Sequence, residues 1–479
     1  MRTPFFPAFR PRLAARKAAR PAALPRDASV LQALLQGFFP RHFLAQADEG
    51  CNSRSRCWPL ELTFWTFLWQ VLHPRSSCRQ AVHAAGAAPG LRGFKKQTQE
   101  AFCKARQRLP LETILRVDRA VRQLLRRRAA TACTWKGFQL KVVDGSSSSL
   151  PDTAPNQQQW PQPSGQKTGC GFPVVKWVGL FCLASGALLG QAAGTLKQHD
   201  LRLFKTILAQ LEPGDLLIAD RGFSAFGLYA LLQGRAIETV FRFQGGKKSA
   251  PGRRSRLSSH RQLGPGDEVK RWKKPYEQPA WLTLKEWRAL PAEIGMRFIT
   301  FTAKTRGGRD QTIVLATSLL DPEPYPAREI IALYLRRWEV EGFIGQMKTE
   351  LQMDVLRCQS PAMIEKELVM HRIAYNLCHA LMAQSADRHQ VPCARLSFAG
   401  TLSAIQASIT VAKPRSRKQT QTLYHELLEL IARELVPKRP GRKEPRAVKR
   451  RPKPFQLLNQ PRHLFQETPH RAKYKLSRA

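Results

Sequence analysis

The stretch YLRRWEVEGFIGQMK carries two glutamates, Glu339 and Glu341, among arginine, lysine and aromatic side chains. Successive residues of a regular helix are about 100° apart. This spacing places Glu341 in one narrow stripe with a hydroxyl group and two cations, those of Tyr334, Arg337 and Lys348. Glu339 falls on the opposite side. A polar stripe is usually a solvated helix face, so chemistry at Glu341 requires partners from elsewhere in the chain.

Two aspartates are candidates for those partners because each ends an apolar strand pattern. GFQLKVVDG ends at Asp144 and its glycine, and GDLLIADRGF turns after Asp220. A single aspartate at a strand end is usually a turn or cap residue. If the two strands are neighbours in one sheet, however, their carboxylates come close together, and a helix packed on that sheet can present Glu341 to the same point.

Three carboxylates at one point repel each other and need a cation. Their hard oxygen atoms select Mg²⁺ or Mn²⁺. Two such ions about 3.5–4 Å apart activate an attacking oxygen and stabilise a leaving oxygen in phosphoryl transfer. We therefore expect two ions of Mg²⁺ or Mn²⁺ at Asp144, Asp220 and Glu341.

The charge of the chain points to a polyanionic partner. Lys and Arg number 78 and Asp and Glu number 35 in 479 residues, which gives a net charge of +43. A field of this strength favours nucleic acid, whose phosphates bind Lys and Arg with release of counterions. The alternative is a generally basic proteome or a ribosomal-type tail.

The ten cysteines are scattered, and none has C-x-x-C spacing. Neither a zinc site nor a disulfide framework is expected, and a reducing compartment fits best. The apolar run LELTFWTFLWQVL is too short to cross a bilayer and predicts a buried helix. We expect a cytoplasmic protein.

Apolar spacing predicts helices up to about residue 130, then the element order β-β-β-α-β-α-β, then irregular β structure and a long helix from near Ala327. Three apolar residues of that helix lie on faces other than that of Glu341 and can pack: Trp338, Phe343 and Met347. The predicted parts are a basic extension (1–29), a helical DNA-binding domain (30–135), an α/β core in two parts (136–244 and 311–365), a β-rich insertion between them (245–310), a C-terminal helical region (366–435) and a basic tail (436–479).

The spacing Tyr-x2-Arg-x3-Glu-x6-Lys of Tyr334, Arg337, Glu341 and Lys348 resembles the signature of the insertion-sequence-four group of DDE transposases. VVDGSSSSLPDT and GDLLIADRGF are similar to the regions of that group's first and second catalytic aspartates. SCRQAV, ARQRLP, MDVLRCQSPAMIEKEL, IAYNL and RPGRKEPRAVKRRPKP are similar to further parts of the family. The resemblance spans roughly residues 30 to 460 and shows no departure at the key positions.

This resemblance implies an RNase H-like, retroviral-integrase-like catalytic core with a β-rich insertion, flanked by helical regions. It implies cleavage of double-stranded DNA at the inverted repeats of transposon ends and attack of a 3′-hydroxyl on target DNA. Asp144, Asp220 and Glu341 would be catalytic, while Tyr334, Arg337 and Lys348 would hold phosphates of the transposon end, as their donor groups allow. Chemistry on two ends implies a dimer or higher assembly on DNA.

Some relatives form a DNA hairpin and stack a flipped base on a tryptophan of the insertion. Trp272, Trp281 and Trp287 are candidates, with burial in a small β domain as the alternative for each. Arg221 either contacts DNA or pairs with a carboxylate. Asp200, which follows His199 at a predicted helix start, is expected to cap that helix.

Two other functions are compatible with parts of this pattern. A metal-dependent nuclease on the same fold would cut DNA without joining it, and the carboxylates do not separate it from a transposase. An inactive DNA-binding relic is the third hypothesis. It predicts a broken trio, whereas Asp144, Asp220 and Glu341 are all present.

Overall fold

The computed structural model describes residues 26–39, 58–86, 98–132, 134–243, 256–304, 310–411, 416–437, 460–461 and 464–465. Most of the predicted N-terminal extension and C-terminal tail lies outside these residues, as do Cys51, Cys57 and Cys133. The described residues begin with a helix at Arg26, within the range 1–29 predicted for the extension.

Helices occur at both ends of the described chain and also between its strands. They are α1 (Arg26–Leu35), α2 (Leu60–Leu72), α3 (Cys78–Gly86), α4 (Gln99–Arg108), α5 (Leu111–Ala132), α6 (Ala154–Gln159), α7 (Asp200–Ile207), α8 (Phe226–Gln233), α9 (Leu284–Ala289), α10 (Ala327–Leu335), α11 (Glu339–Gly345), α12 (Pro361–His389), α13 (Phe398–Val411) and α14 (Arg417–Arg433). None of the described helices is long and apolar enough to cross a membrane.

The strands are β1 (Thr134–Trp135), β2 (Phe138–Ser149), β3 (Val174–Cys182), β4 (Leu188–Gly194), β5 (Asp215–Ala219), β6 (Glu238–Arg242), β7 (Leu257–Gly264), β8 (Asp267–Lys273), β9 (Glu293–Lys304) and β10 (Asp310–Thr317). They form one mixed sheet in the order β4-β3-β2-β5-β6-β10-β9-β8-β7, with β1 paired to β2. β2, β5 and β6 run parallel to each other, and the other pairs are antiparallel.

The centre of the sheet is formed by strands whose residues are apolar on both faces. β5 is buried along its whole length, and most of β3 is buried as well. Such continuous apolar runs are typical of strands covered by helices on both sides. The described part of the chain is therefore an α/β protein with its core on both faces of this sheet.

The segment that precedes β10 extends the same sheet. β9 pairs with β10 over eight positions, and β8 and β7 continue outwards from β9. One part of this segment differs from the predicted irregular β structure: α9 is a helix. Thr283 and Glu286 form its reciprocal capping box, and the pattern Thr-x-x-Glu is the sequence signal for it.

The helix expected from Ala327 through Lys348 is not regular. α10 is followed by a 3₁₀ turn at Arg336–Trp338, then by α11, and then by a π-helical turn at Gln346–Glu350. A constant 100° per residue therefore holds only over part of this segment. A π turn inside an α-helix is frequently found at functional sites.

The N- and C-terminal helices pack together around α12. Arg372 of this helix forms a buried ion pair with Asp118 of α5, at 2.6 Å between Nε and Oδ1. Arg122 pairs with the other oxygen of Asp118 and also donates to the carbonyl of Leu189 in β4. The helices on both sides thus share one continuous apolar core with the sheet.

Candidate active site

The parallel pairing of β2 with β5 brings the two aspartates side by side. The prediction that a strand ends at Asp144 is wrong, because β2 continues to Ser149 and Asp144 lies in its middle. Val143 is registered with Ala219, so Asp144 and Asp220 follow at neighbouring positions. Paired strands are about 4.8 Å apart. The backbone amide of Gly145 donates to Asp144 Oδ1, and that of Gly222 donates to Asp220 Oδ1, each at 2.8 Å.

The pKa of Asp144 is raised to about 6, chiefly by burial and also by the nearby negative charges of Asp220 and Glu341. The hydrogen bond from Gly145 and the charge of Arg337 act in the opposite direction. The three carboxylates therefore lie close enough to oppose each other's ionisation, which is the situation that a bound cation relieves.

Arg337 links Asp144 to Glu341. Its Nη1 lies 3.4 Å from Asp144 Oδ2, and its Nη2 lies 3.7 Å from Glu341 Oε1. The side chain of Arg337 is only 10% exposed, while that of Glu341 is 52% exposed. The buried guanidinium thus holds one acid of the sheet and one acid of the helix on the same side of the molecule.

Glu339 lies away from this group, on the side that the helical spacing predicts. It forms an exposed ion pair with Arg336, at 2.8 Å between Oε1 and Nε. It also lines a separate cavity of about 270 Å³ with Gly342 and His379. The two glutamates of this stretch therefore have different surroundings.

Lys348 also reaches the sheet beside the aspartates. Its Nζ lies 3.4 Å from the hydroxyl of Ser146. Alternate residues of a strand share a face, so Ser146 lies on the same face as Asp144. Ser146 is not among the site residues predicted from the sequence, although its position two residues after Asp144 is a usable signal.

Tyr334 is buried, whereas a direct contact with DNA would require an exposed side chain. It is 2% exposed, and burial raises its pKa, while the charge of Arg337 lowers it. Trp338, which a regular helix would allow to pack, is 41% exposed. Its ring lies 6.3 Å from that of Tyr334, and the Arg337 guanidinium lies 5.2 Å from the Trp338 ring. Met347, by contrast, is fully buried.

Two of the three tryptophans proposed for base stacking are core residues. Trp272 is 3% exposed and contacts the rings of Phe226 and Phe243 at 5.8 and 5.5 Å. Trp287 is also buried, with Lys274 over its ring. The buried alternative therefore holds for these two, and Trp281 keeps part of its surface exposed.

The remaining two predicted residues lie at helix starts. Arg221 is exposed directly after Asp220 in the 3₁₀ turn Arg221–Phe223. The cap of α7 is His199, whose ring accepts from the backbone of Leu201. The expectation that Asp200 is the cap is therefore wrong; Asp200 pairs with Lys176 at 2.7 Å.

The donor chemistry of the site matches a hard divalent cation. Within the described ranges, no three histidine, cysteine or acidic side chains are gathered tightly enough to hold a metal ion as they stand. The guanidinium of Arg337 supplies the positive charge between Asp144 and Glu341. Carboxylate oxygens are nevertheless the ligands that Mg²⁺ and Mn²⁺ prefer.

An acidic centre bordered by arginine and lysine, on a chain of charge +43, is typical of enzymes that act on nucleic-acid phosphodiesters. The comparisons with known proteins agree with this class. Residues 135–377, just over half of the chain, match the family "Transposase DDE domain". The transposase InsG for insertion sequence element IS4 of Escherichia coli (strain K12) is 27% identical over 405 residues, which cover 83% of this chain and 87% of that protein.

The chain therefore belongs to the transposase DDE domain family, within the insertion-sequence-four group. It is an enzyme that cleaves DNA and transfers DNA strands. A solved synaptic complex of piggyBac transposase with hairpin DNA matches 88% of this chain and 87% of that chain, at 10% identity and a TM-score of 0.37. That similarity is too distant to inform the fold of this protein.

Proposed function

We propose that Asp144, Asp220 and Glu341 form the catalytic centre with which this transposase cuts DNA at its element's ends and joins those ends to target DNA. The observation that supports this most directly is the register of β2 with β5, which sets the two aspartates side by side. Arg337 contacts both Asp144 and Glu341, so the carboxylate of Glu341 lies on the same side as the two aspartates.

The same three carboxylates are the proposed ligands of two Mg²⁺ or Mn²⁺ ions. When bound, such ions activate the attacking oxygen and stabilise the leaving oxygen in phosphoryl transfer. The pKa of Asp144 is raised to about 6, so its ionised form is disfavoured in the protein alone. A bound cation would favour the ionised form. The amides of Gly145 and Gly222 orient the two aspartates by donating to one oxygen of each.

Arg337 and Lys348 are the proposed phosphate contacts at the transposon end. Arginine presents a planar fork of donors that fits a phosphate, and lysine supplies a point charge. The contact of Lys348 with Ser146 supports this role because it places the ammonium group beside Asp144. Tyr334 is proposed to act through Arg337, which it contacts from a buried position. The exposed Arg221 is proposed to bind DNA next to Asp220.

The RNase H-like, retroviral-integrase-like nature of the core is also a proposal. Three early strands followed by alternating helices and strands, with both aspartates on adjacent parallel strands, support it. The boundaries 136–244, 245–310 and 311–365 are proposed on the same basis. If a hairpin intermediate forms, Trp281 is the proposed base-stacking residue because Trp272 and Trp287 are buried.

The proposed DNA partners are the inverted repeats of the element and a target duplex, engaged by two or more protomers in the cytoplasm of a prokaryote.

Two labelled substrates separate this function from that of a nuclease. One substrate carries an uncut element end. The other carries a pre-cut end with a free 3′-hydroxyl and is supplied with target DNA and Mg²⁺ or Mn²⁺.

A transposase yields cut product from the first substrate and joined product from the second. Cutting without any joined product would leave the nuclease hypothesis standing instead. Binding to the element end without cutting in either metal would indicate an inactive relic. Glu341→Gln serves as the control for both reactions, because it removes a proposed metal ligand and leaves Arg337 and Lys348 in place.

A further inference from the structure

Two cysteine thiols of the N-terminal helices are in contact outside the active site. Cys78 begins α3, and Cys103 lies within α4; both are half-buried, and their sulfur atoms are 3.8 Å apart. Arg106 Nη2 lies 3.4 Å from Cys78 Sγ and 3.5 Å from Cys103 Sγ. Gln70 of α2 donates to Cys78 from 3.5 Å.

These contacts favour ionisation of one thiol over the other. The pKa of Cys78 is lowered because the Cys103 thiol donates a hydrogen bond to it, and the charge of Arg106 acts in the same direction against the effect of burial. The pKa of Cys103 is raised because its proton is held in that hydrogen bond. Since the thiolate is the reactive form of cysteine, Cys78 is the nucleophile of the pair.

The deeply buried thiols of the chain differ from this pair. Cys358 lies near Arg106 as well, but burial raises its pKa far above the ordinary value. Burial raises the pKa of Cys378 to about 12, against the smaller effect of a backbone hydrogen bond. A half-buried thiolate beside a guanidinium and a second thiol is the setting in which cysteines are oxidised selectively.

We propose that Cys78 and Cys103 form a peroxide-sensitive dithiol–disulfide pair. The Cys78 thiolate attacks one oxygen of hydrogen peroxide; the O–O bond breaks, Cys78 becomes a sulfenic acid, and the departing hydroxide takes up a proton to form water. The Cys103 sulfur then attacks the Cys78 sulfur, the S–O bond breaks, and a second water leaves with the Cys103 proton. Two thiols are oxidised to one disulfide, and one peroxide is reduced to two waters.

The geometry permits this bond with small movements. A disulfide is about 2.05 Å long, so the sulfur atoms must approach by roughly 1.8 Å. The bond would tie α3 to α4 and remove the negative charge beside Arg106, whose other contacts are Gln70 and the rings of Phe67 and Phe102. In a reducing compartment such a bond is transient, which suits a sensor of oxidants better than a structural link.

The test treats the full-length protein with hydrogen peroxide, blocks the remaining thiols and maps the peptides by mass spectrometry without reduction. We expect a peptide that joins Cys78 to Cys103 and is lost after dithiothreitol. In Cys103→Ser, dimedone should label a sulfenic acid at Cys78. Cys170→Ser, which changes a buried thiol elsewhere, should still form the bond.

Three results would overturn the proposal. They are no cross-linked peptide in the natural protein, a peptide that joins Cys78 to some other cysteine, and oxidation of Cys78 that proceeds past the sulfenic acid without a bond to Cys103. The natural protein alone decides between these outcomes, so the conclusion does not depend on the folding of either variant.

Discussion

Glu339 and Glu341 are two positions apart but have different partners. Glu341 shares Arg337 with Asp144, whereas Glu339 pairs with the exposed Arg336. Glu341→Gln is expected to lower the rate of DNA cleavage by about 100-fold or more, because Glu341 is a proposed metal ligand and loss of such a ligand costs roughly 3 kcal/mol of transition-state stabilisation. Single-turnover cleavage of a labelled element end measures this, and binding of the same DNA should change little.

Glu339→Gln is the matched control, since it changes the same chemical group on the same segment. It is expected to retain most of the cleavage activity because an exposed ion pair contributes little. An equal loss of cleavage in both variants would contradict the assignment of Glu341, rather than Glu339, to the catalytic side.

Lys348→Ala is expected to weaken binding of the element end and to reduce its salt dependence. Removing one phosphate contact lowers the slope of log K against log salt concentration by about 1. Fluorescence anisotropy at several salt concentrations measures that slope. Lys418→Ala, which removes an exposed lysine at the start of α14, is the charge-matched control. An unchanged slope in Lys348→Ala would argue against a phosphate contact.

At the scale of elements, only part of the helical segment that carries Glu341 can be predicted from its sequence. Arg337 and Glu341 are four residues apart, and such residues share a face in any helical conformation close to α, so their pairing follows from spacing alone. The 3₁₀ and π turns do not follow from spacing. Trp338 lies in the 3₁₀ turn and is exposed, although a regular helix would have allowed it to pack.

The ion pair between Arg372 and Asp118 joins α12 to α5, two helices that are far apart in the sequence. Asp118 is fully buried and accepts from Arg372 at 2.6 Å and from Arg122 at 2.8 Å. Asp118→Asn leaves both guanidiniums without a counter-charge and is expected to destabilise the protein by about 3–5 kcal/mol. Urea denaturation measures this change. Glu112→Gln, in an exposed pair with Arg119 on the same helix, should cost less than about 1 kcal/mol.

Two buried histidines of α12 are expected to make the free energy of unfolding depend on pH. Burial lowers the pKa of His371 and of His379 to about 4 in each case. The pKa in an unfolded chain is about 6.5. Because the folded pKa is the lower one, the neutral rings contribute stability that is complete above about pH 6.5 and is lost as the pH falls towards about 4.

At about 1.36 kcal/mol for each unit of pKa difference, this loss approaches roughly 3 kcal/mol per histidine. His379→Gln should therefore lose less stability than the natural protein between neutral pH and about pH 4.5, as measured by urea midpoints. His425→Gln, at an exposed position of α14, should leave the decline unchanged. A decline of the same size in His379→Gln would show that His379 does not titrate in this way.

At the scale of the whole molecule, the order of strands and helices in the first part of the core follows closely from the sequence. The strand pattern that leads to Asp220 corresponds to β5, and the pattern that leads to Asp144 corresponds to the first half of β2, which continues to Ser149. The pairing of those strands does not follow from their patterns, because a strand's apolar residues do not identify its neighbour. The sequence does not decide whether Trp272 and Trp287 are buried either, since an aromatic residue in a β segment can pack inward or face a ligand.

The sequence also suggested separate domains, but the described helices at both ends share one core with the sheet. We expect the N-terminal helices and the sheet to unfold together for this reason. Fluorine-labelled tryptophan allows each part to be followed by NMR in urea: Trp65 reports on α2, and Trp177 reports on β3. Both are fully buried, and the variants Trp65→Phe and Trp177→Phe assign their signals.

The two native signals are expected to disappear at the same urea concentration. Asp118→Asn should lower both midpoints equally because the ion pair of Asp118 with Arg372 joins the N-terminal helices to α12. If the Trp65 signal disappears at a lower urea concentration while that of Trp177 persists, the N-terminal helices unfold on their own. The shared core would then be too weak to couple the two parts, and the boundary near residue 135 would separate independent folding units.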